Sequence, residues 1–376
     1  MRNLASGQTI PAAHLLPAWL RDNCPCPACR DPGSGQRLIS IVSQAPDVTV
    51  RTAIEAADGL HITFGPDGHQ AVFAWSWLAD QSGPAAGERG EDGRRLWTGC
   101  DFLAGPPVTS WQSYRTDDKT RLECLRGLLS AGFLLLRSVP TEPGAVLDVV
   151  ASFGYVRETS DGRLFDVPAQ TAAASPAATG PQLGPHTDQP YRDPVPTLQL
   201  LHCLANAAGG GRAGLLDGFA AAAALRADDP AAFECLAAIP VTFCHTGSTA
   251  ELRATRPMIG LTTDGRIREI RYNGGSMQPL RPRRRMGAEA AGAQLREFYR
   301  AYRAFATILH RPDRELKVSL DAGDCVLIDN TRVLHSWTGF TGAGQRLQGC
   351  YADLDGAEST VAVLARRAAQ RRVLGL

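Results

Sequence analysis

The stretch Gly184-Pro185-His186-Thr187-Asp188 puts an imidazole and a carboxylate two residues apart. On a strand, or at its end, residues i and i+2 point to one face, so both side chains can reach a single ion. A third donor comes from Asp329-Asn330-Thr331-Arg332-Val333-Leu334-His335, directly after an apolar strand at Cys325 to Ile328. Two His and one carboxylate on one face leave half an octahedron open, which is the arrangement of non-haem Fe(II) oxygenases. His186, Asp188 and His335 are therefore the expected iron ligands. The open positions suit a bidentate 2-oxo acid and then O2. Arg346, eleven positions after His335 on the next expected strand, is expected to hold the far carboxylate of 2-oxoglutarate, because a guanidinium grips a carboxylate bidentately. A lone His-x-Asp is weak evidence. The distal His, the trailing Arg and the strand context together carry the reading.

Outward from this motif, strands are expected at Thr197 to Leu204, Gly214 to Asp217, Ile239 to Phe243, Asp324 to Asp329 and Arg346 to Asp353. A buried strand is also expected at Gly132 to Leu136. Apolar spacing predicts helices over Thr120 to Leu129, Pro143 to Phe153 and Ala288 to Leu309. Strands without regularly alternating helices suggest an antiparallel sandwich or barrel decorated by helices, a mainly β fold. The Ala-rich tract Ala169 to Gly180 reads as a loop over the site. Nearer the N-terminus, Leu38 to Val42, Leu60 to Phe64 and Ala71 to Trp75 read as short strands, with a hairpin turn at Gly65-Pro66-Asp67-Gly68. A linker is expected from Gly83 to Gly93. The expected domains are 1–104, a small β-rich module with its linker, and 105–376, the oxygenase.

Cys24-Pro25-Cys26-Pro27-Ala28-Cys29 is a C-x-C-x-x-C knuckle. Three thiolates need a fourth donor for a closed tetrahedral zinc site, and His69 at the hairpin turn is the natural candidate. Such a zinc is structural, steadying a module too small to hold together by its core. The alternative is three reduced surface thiols without metal. The other seven of the ten cysteines are scattered through apolar contexts, as small core residues are.

The chain of 376 residues is 44% hydrophobic and 20% charged, the balance of a globular protein, with a net charge of +1 that argues against a polyanion partner. The basic run Arg281, Arg283, Arg284, Arg285 reads as a solvated loop. No apolar run follows Met1 to Gly7 and no stretch spans a bilayer, so a cytoplasmic location without membrane or nucleic-acid contact is expected.

The chain resembles the γ-butyrobetaine hydroxylase and trimethyllysine hydroxylase group of the taurine-dioxygenase-like superfamily. The resemblance rests on Trp19 to Cys26, Gly132 to Leu136, His186 to Pro190 and Gln199 to Cys203. It continues through Ile270 to Asn273, Asn330 to His335 and Gly344 to Tyr351. It implies a double-stranded β-helix (jelly-roll) core, a Cys3His zinc, the iron and 2-oxoglutarate roles above, and a homodimer. Three matching positions depart from the family's aromatic cage: Gln189 follows the His-x-Asp motif, Phe165-Asp166-Val167 stands where a Trp is typical, and Ala174 to Ala178 lacks a Tyr. The candidate pocket residues are Phe165, Ser175, Gln189, Tyr191, Tyr272, Asn273 and Tyr351. The expected reaction is hydroxylation of an unactivated C–H bond in a small polar amine, amino acid, phosphonate or specialised-metabolite intermediate. Alternatives are a γ-butyrobetaine or related trimethylammonium hydroxylase, a desaturase, epoxidase or cyclase outcome, a metal-dependent hydrolase, and a non-catalytic jelly-roll ligand sensor.

Overall fold

In the computed structural model, the described residues are 2–3, 9–10, 16–82, 93–167, 183–206, 212–247, 250–282, 287–337 and 345–374. All of the expected linker Gly83 to Gly93 (except Gly93), the Ala-rich tract with Ser175, and Arg283 to Arg285 lie outside them. The chain divides into two compact units, Met1–Asp92 and Gly93–Leu376.

The first unit holds strands β1 (Arg2–Asn3) and β2 (Thr9–Ile10), helix α1 (Pro17–Asp22), strands β3 (Thr49–Ala56), β4 (Gly59–Gly65) and β5 (Gln70–Ala74), and helix α2 (Trp75–Ser82). Strands β3, β4 and β5 form an antiparallel sheet in that order. Alternation on β4 and β5 buries Leu60, Ile62, Phe64, Ala71 and Phe73 against Leu20 and Leu78, with the Cys24 and Cys29 thiols in the same cluster. The run Leu38 to Val42 is not a strand. Ile41–Ser43 is a 3-10 turn, and Ile41 and Val42 are exposed. The pairing strand is β3, whose side chains are mostly exposed. An edge strand held by backbone bonds to β4 leaves little apolar periodicity to read.

In the second unit come β6 (Val108–Ser110), α3 (Trp111–Thr116), α4 (Asp118–Ala131), β7 (Phe133–Arg137), α5 (Ala145–Ala151), β8 (Phe165–Val167) and β9 (Leu183–His186). Next are β10 (Leu198–Asn206), β11 (Arg212–Asp217), α6 (Gly218–Asp228) and α7 (Pro230–Ala238). Two hairpins follow, β12 (Val241–Thr246) with β13 (Glu251–Arg256) and β14 (Ile259–Leu261) with β15 (Ile267–Ile270). The chain closes with α8 (Ala288–Leu309), β16 (Glu315–Ser319), β17 (Cys325–Asp329), β18 (Val333–Trp337), β19 (Gln345–Ala352) and α9 (Leu354–Leu374).

Two sheets organise this unit, one in the order β6-β7-β17-β10-β19-β8 and one in the order β16-β11-β18-β9. One face of each contributes to a shared core: Phe133, Leu135, Leu201, Val326, Ile328 and Leu347 from the larger, and Leu215, Leu316, Val318 and Val333 from the smaller. Alternation sends the intervening residues outward into helical layers. Leu134, Leu136, Leu200 and Cys350 pack with Leu125 and Leu128 of α4 and Val146 and Val149 of α5. Leu216 and Leu334 pack with Phe219, Phe233, Phe298 and Phe305. The stripe Phe298, Ala301, Phe305 and Leu309 is the buried face that makes α8 a helix.

Helix α4 starts where the Asp117 carboxylate accepts the Lys119 and Thr120 N–H groups, and ends at Gly132 with φ 81°. A Cβ there would also meet Val333 Cγ2 at 2.7 Å, so glycine is needed on both counts. Asp217 is gripped by Arg332 through bonds of 3.1 and 2.8 Å, and both side chains are essentially fully buried. Asp217 also accepts the Trp97 N–H, and Trp97 packs edge-on against Phe133. Residues 93–104, expected with the linker, are therefore tied into the second unit. Among the described residues, no helix is long and apolar enough to cross a membrane.

Candidate active site

Strands β9 and β18 are antiparallel neighbours, and His186 is the register partner of His335. The pairing brings the two rings to 4.2 Å between centroids. Asp188, two residues past His186, places Oδ1 3.1 Å from His186 Nε2 and 3.5 Å from His335 Nε2. One donor atom from each of the three lies within 4.8 Å of the others. Three donors converging on one point, two of them imidazole nitrogens, fit Fe(II) with open positions remaining.

The surroundings orient each donor. His186 Nδ1 lies 3.0 Å from the Gly184 carbonyl, which selects the Nδ1–H tautomer and leaves Nε2 as a lone-pair donor. Asp188 Oδ2 accepts from the Tyr351 hydroxyl at 2.8 Å and from Gln199 Nε2 at 2.5 Å. The Asp188 N–H donates to Asn330 Oδ1 at 2.8 Å, while Asn330 Nδ2 donates to the Asp188 and Pro196 carbonyls. That reciprocal clamp ties the loop after β9 to the turn before β18. Burial alone would raise the Asp188 pKa, but the His335 and His186 imidazoles hold it well below the usual carboxylate range. Burial, with Asp188 close by, pushes the Tyr351 phenol well above its ordinary value, so it remains a donor.

Tyr351 and Phe165 form one aromatic wall, with ring centroids 5.1 Å apart. Gly349 makes the room, because a Cβ there would meet the Phe165 ring at 2.5 Å. Tyr191 stacks on His245 at 5.0 Å, and its phenol is raised by burial and then by the charges of Asp161 and Asp188. Gln189, at φ 48°, donates to Asp161 Oδ2 at 2.7 Å and accepts from Arg192 Nε. Tyr272 and Asn273 are not on this wall. Tyr272 packs with Tyr302 and Phe305 of the helical core, and its N–H and carbonyl bond Thr187. Asn273 Nδ2 donates to the Thr187 carbonyl. Both hold the backbone between the two β9-side donors.

Arg346 is not brought to the site. Its side chain is 56% exposed and lies 4.0 Å from Asp166. On β19 the inward residues are Tyr351, Gly349 and Leu347, so Arg346 has the opposite phase and Gln345 faces inward. Counting back from Tyr351 in steps of two finds it once the pairing of β19 has fixed which face Tyr351 takes. Gln199 had a signal as well, a lone amide inside an apolar strand. Asp161 and the clamp role of Asn330 had none, because their partners lie 28 and 142 positions away in sequence.

In the first unit, His69 Nε2 lies 3.2, 3.6 and 3.5 Å from the sulfurs of Cys24, Cys26 and Cys29. All four donors fall within 4.8 Å of one another. Burial, with the neighbouring thiols, pushes Cys24 up to about 12, and burial, with the Arg21 charge, lowers His69. Four soft donors with no open position fit a closed tetrahedral zinc.

Residues 104–351 match the family described as taurine catabolism dioxygenase TauD, TfdA family, and residues 8–79 match the gamma-butyrobetaine hydroxylase-like N-terminal family. Gamma-butyrobetaine dioxygenase of Pseudomonas sp. (strain AK-1) is 34% identical over 368 residues, covering 96% of this chain and 92% of its own. Trimethyllysine dioxygenase of Meyerozyma guilliermondii is 28% identical over 354 residues, covering 90% and 87%. Among solved structures, an asparagine oxygenase in complex with Fe(II), 2S,3S-3-hydroxyasparagine and succinate aligns with a TM-score of 0.45 at 18% identity, over 63% of this chain and 80% of that one. The chain belongs to the taurine catabolism dioxygenase TauD, TfdA family and is an Fe(II)- and 2-oxoglutarate-dependent dioxygenase.

Proposed function

We propose that this dioxygenase hydroxylates an unactivated C–H bond of a small substrate carrying a quaternary ammonium head, in the manner of γ-butyrobetaine, with His186, Asp188 and His335 as the iron ligands. The observation that carries the proposal is the aromatic wall of Tyr351 and Phe165, joined to Asp188 through the Tyr351 hydroxyl. Ring faces attract a cation that has no hydrogen to donate, and Tyr191 adds a third ring near the same carboxylates. When bound, Fe(II) and 2-oxoglutarate would supply the oxidation of the C–H bond with O2 as oxidant, one oxygen atom ending in the product hydroxyl and the other in the succinate formed with CO2. The protein orients the donors through Asn330, Gln199 and Tyr351, and Phe165 and Tyr351 keep water from one side of the pocket.

A second reading, an amine that keeps its N–H groups, is favoured by Asp161, whose carboxylate is held by Gln189 and faces Tyr191 and Tyr351. Succinate release separates the two when γ-butyrobetaine, trimethyllysine and their unmethylated amines are compared. Turnover of the methylated compounds supports the first reading, and turnover of the unmethylated amines alone supports the second. Release with neither sinks both.

The same proposal assigns a structural zinc to Cys24, Cys26, Cys29 and His69, supported by four converging donors with no open position. It takes the two facing sheets as a double-stranded β-helix, supported by their shared core. A homodimer, which the family resemblance implies, and a cytoplasmic setting, in keeping with ten cysteines free of disulfides, belong with it.

A further inference from the structure

We infer that Gln345, rather than Arg346, receives the far carboxylate of 2-oxoglutarate. Strand β19 sends alternate side chains to opposite faces. On one face Tyr351 bonds Asp188, Gly349 lies against the Phe165 ring, and Leu347 enters the core between the sheets. Gln345 is the next residue of that face. Leu347 shares its core with Leu215, and Leu215 is the register partner of His335. The start of β19 therefore looks across the inter-sheet space toward the strand that carries His335. The opposite face of β19 holds Cys350 in the helical layer, Gln348 accepting the Gly144 N–H, and Arg346 beside Asp166.

The state of the Gln345 amide is the second observation. The residue is 6% exposed, yet apart from the Cys203 thiol neither its Nε2 nor its Oε1 has a hydrogen-bond partner among the described residues. The Cys203 thiol, a weak partner, lies beside it. An unsatisfied buried amide group is costly, so native structures seldom keep one without a ligand or water to pair it. A carboxylate entering between Gln345 and His335 would accept the Nε2–H bond.

A neutral amide differs from a guanidinium in a measurable way. It brings no charge, and its carbonyl can itself accept a hydrogen bond. The site should therefore separate 2-oxoglutarate from 2-oxoglutaramate, its neutral 5-amide, only weakly. This inference rests on the oxygenase reading and deepens it by naming the residue that selects the co-substrate.

The test is an anaerobic titration of the Fe(II)-loaded protein with 2-oxoglutarate, read from the visible charge-transfer band and from the rise in thermal transition. Gln345→Leu should weaken binding about tenfold, the loss expected for one hydrogen bond to a charged group. Gln345→Arg should tighten it about tenfold and sharpen the preference over the 5-amide. Arg346→Ala should change binding less than about twofold, as an exposed ion pair does. In the unsubstituted protein the 5-amide should bind within about tenfold of 2-oxoglutarate. Fe(II) affinity measured alone reports whether each variant is folded. Binding that is lost in Arg346→Ala, or unchanged in both Gln345 variants, overturns the inference. No band in the unsubstituted protein sinks the oxygenase reading itself, whereas a band indifferent to Gln345 sinks this inference alone.

Discussion

Tyr351 donates a 2.8 Å hydrogen bond from its phenol to Oδ2 of Asp188, joining the ring that faces Phe165 to the candidate ligand set across 163 positions of sequence. Gln199 donates to the same oxygen at 2.5 Å. With Oδ2 engaged twice, Oδ1 is the oxygen turned to the two imidazoles, so the carboxylate is arranged as a one-oxygen ligand.

Tyr351→Phe keeps the ring and removes the donor. A hydrogen bond to a charged group is worth about 1.5–3 kcal/mol, and groups that orient a ligand typically change metal affinity about 10- to 100-fold. Fe(II) binding should therefore weaken by at least about tenfold. Anaerobic Fe(II) titration checks this, and an unchanged affinity would show that Gln199 orients Asp188 alone.

Arg332 and Asp217 form a pair whose side chains are 1% and 0% exposed. Arg332→Met should cost about 3–5 kcal/mol, because it strands the Asp217 charge in the interior. It also removes the donors to the Ser130 and Arg95 carbonyls. Replacing Asp217 with Leu as well should recover part of the loss. Urea denaturation of the single and double variants measures both.

Removing zinc should unfold the first unit. Its buried cluster is small and includes two of the thiols. Cys26→Ser or a strong chelator should abolish zinc content and strip amide-exchange protection from β3, β4 and β5, since metal binding and folding are coupled in such modules. Full protection without zinc would leave the cluster as reduced thiols.

Asp324 is buried, and burial raises its carboxyl pKa despite Arg137 at 3.9 Å. A raised folded pKa contributes stability that is fully present below the unfolded carboxylate value and lost as pH rises through the folded one. Asp324→Asn should thus be more stable than the parent at pH 7, with the gain shrinking as pH falls through the raised folded value and gone below about pH 4. Thermal melts across that range decide it, and an equal gain at every pH would point to packing instead.

The candidate metal donors were legible because their information is local. His186-x-Asp188 on a strand end, His335 following an apolar strand, and three cysteines in six residues each encode side-chain direction by spacing alone. Helix α8 was legible to its ends for the same reason, since one apolar stripe repeats through it. Strand β3 was missed because its pairing buries backbone rather than side chains. Tyr272 read as a pocket residue, but its ring turns to Tyr302 and Phe305 on α8, which no local pattern reveals.

The sequence by itself therefore determined the chemistry of this protein: the donor types, their order along the chain, and the family that orders them so. Only the tertiary structure decided which of two adjacent residues, Gln345 or Arg346, faces inward, and that Tyr351 and Gln199 share one oxygen of Asp188. The reason is physical. Side-chain direction on a strand has period two, so its phase depends on pairing with β10, where the register shifts between Cys203 and Ala205.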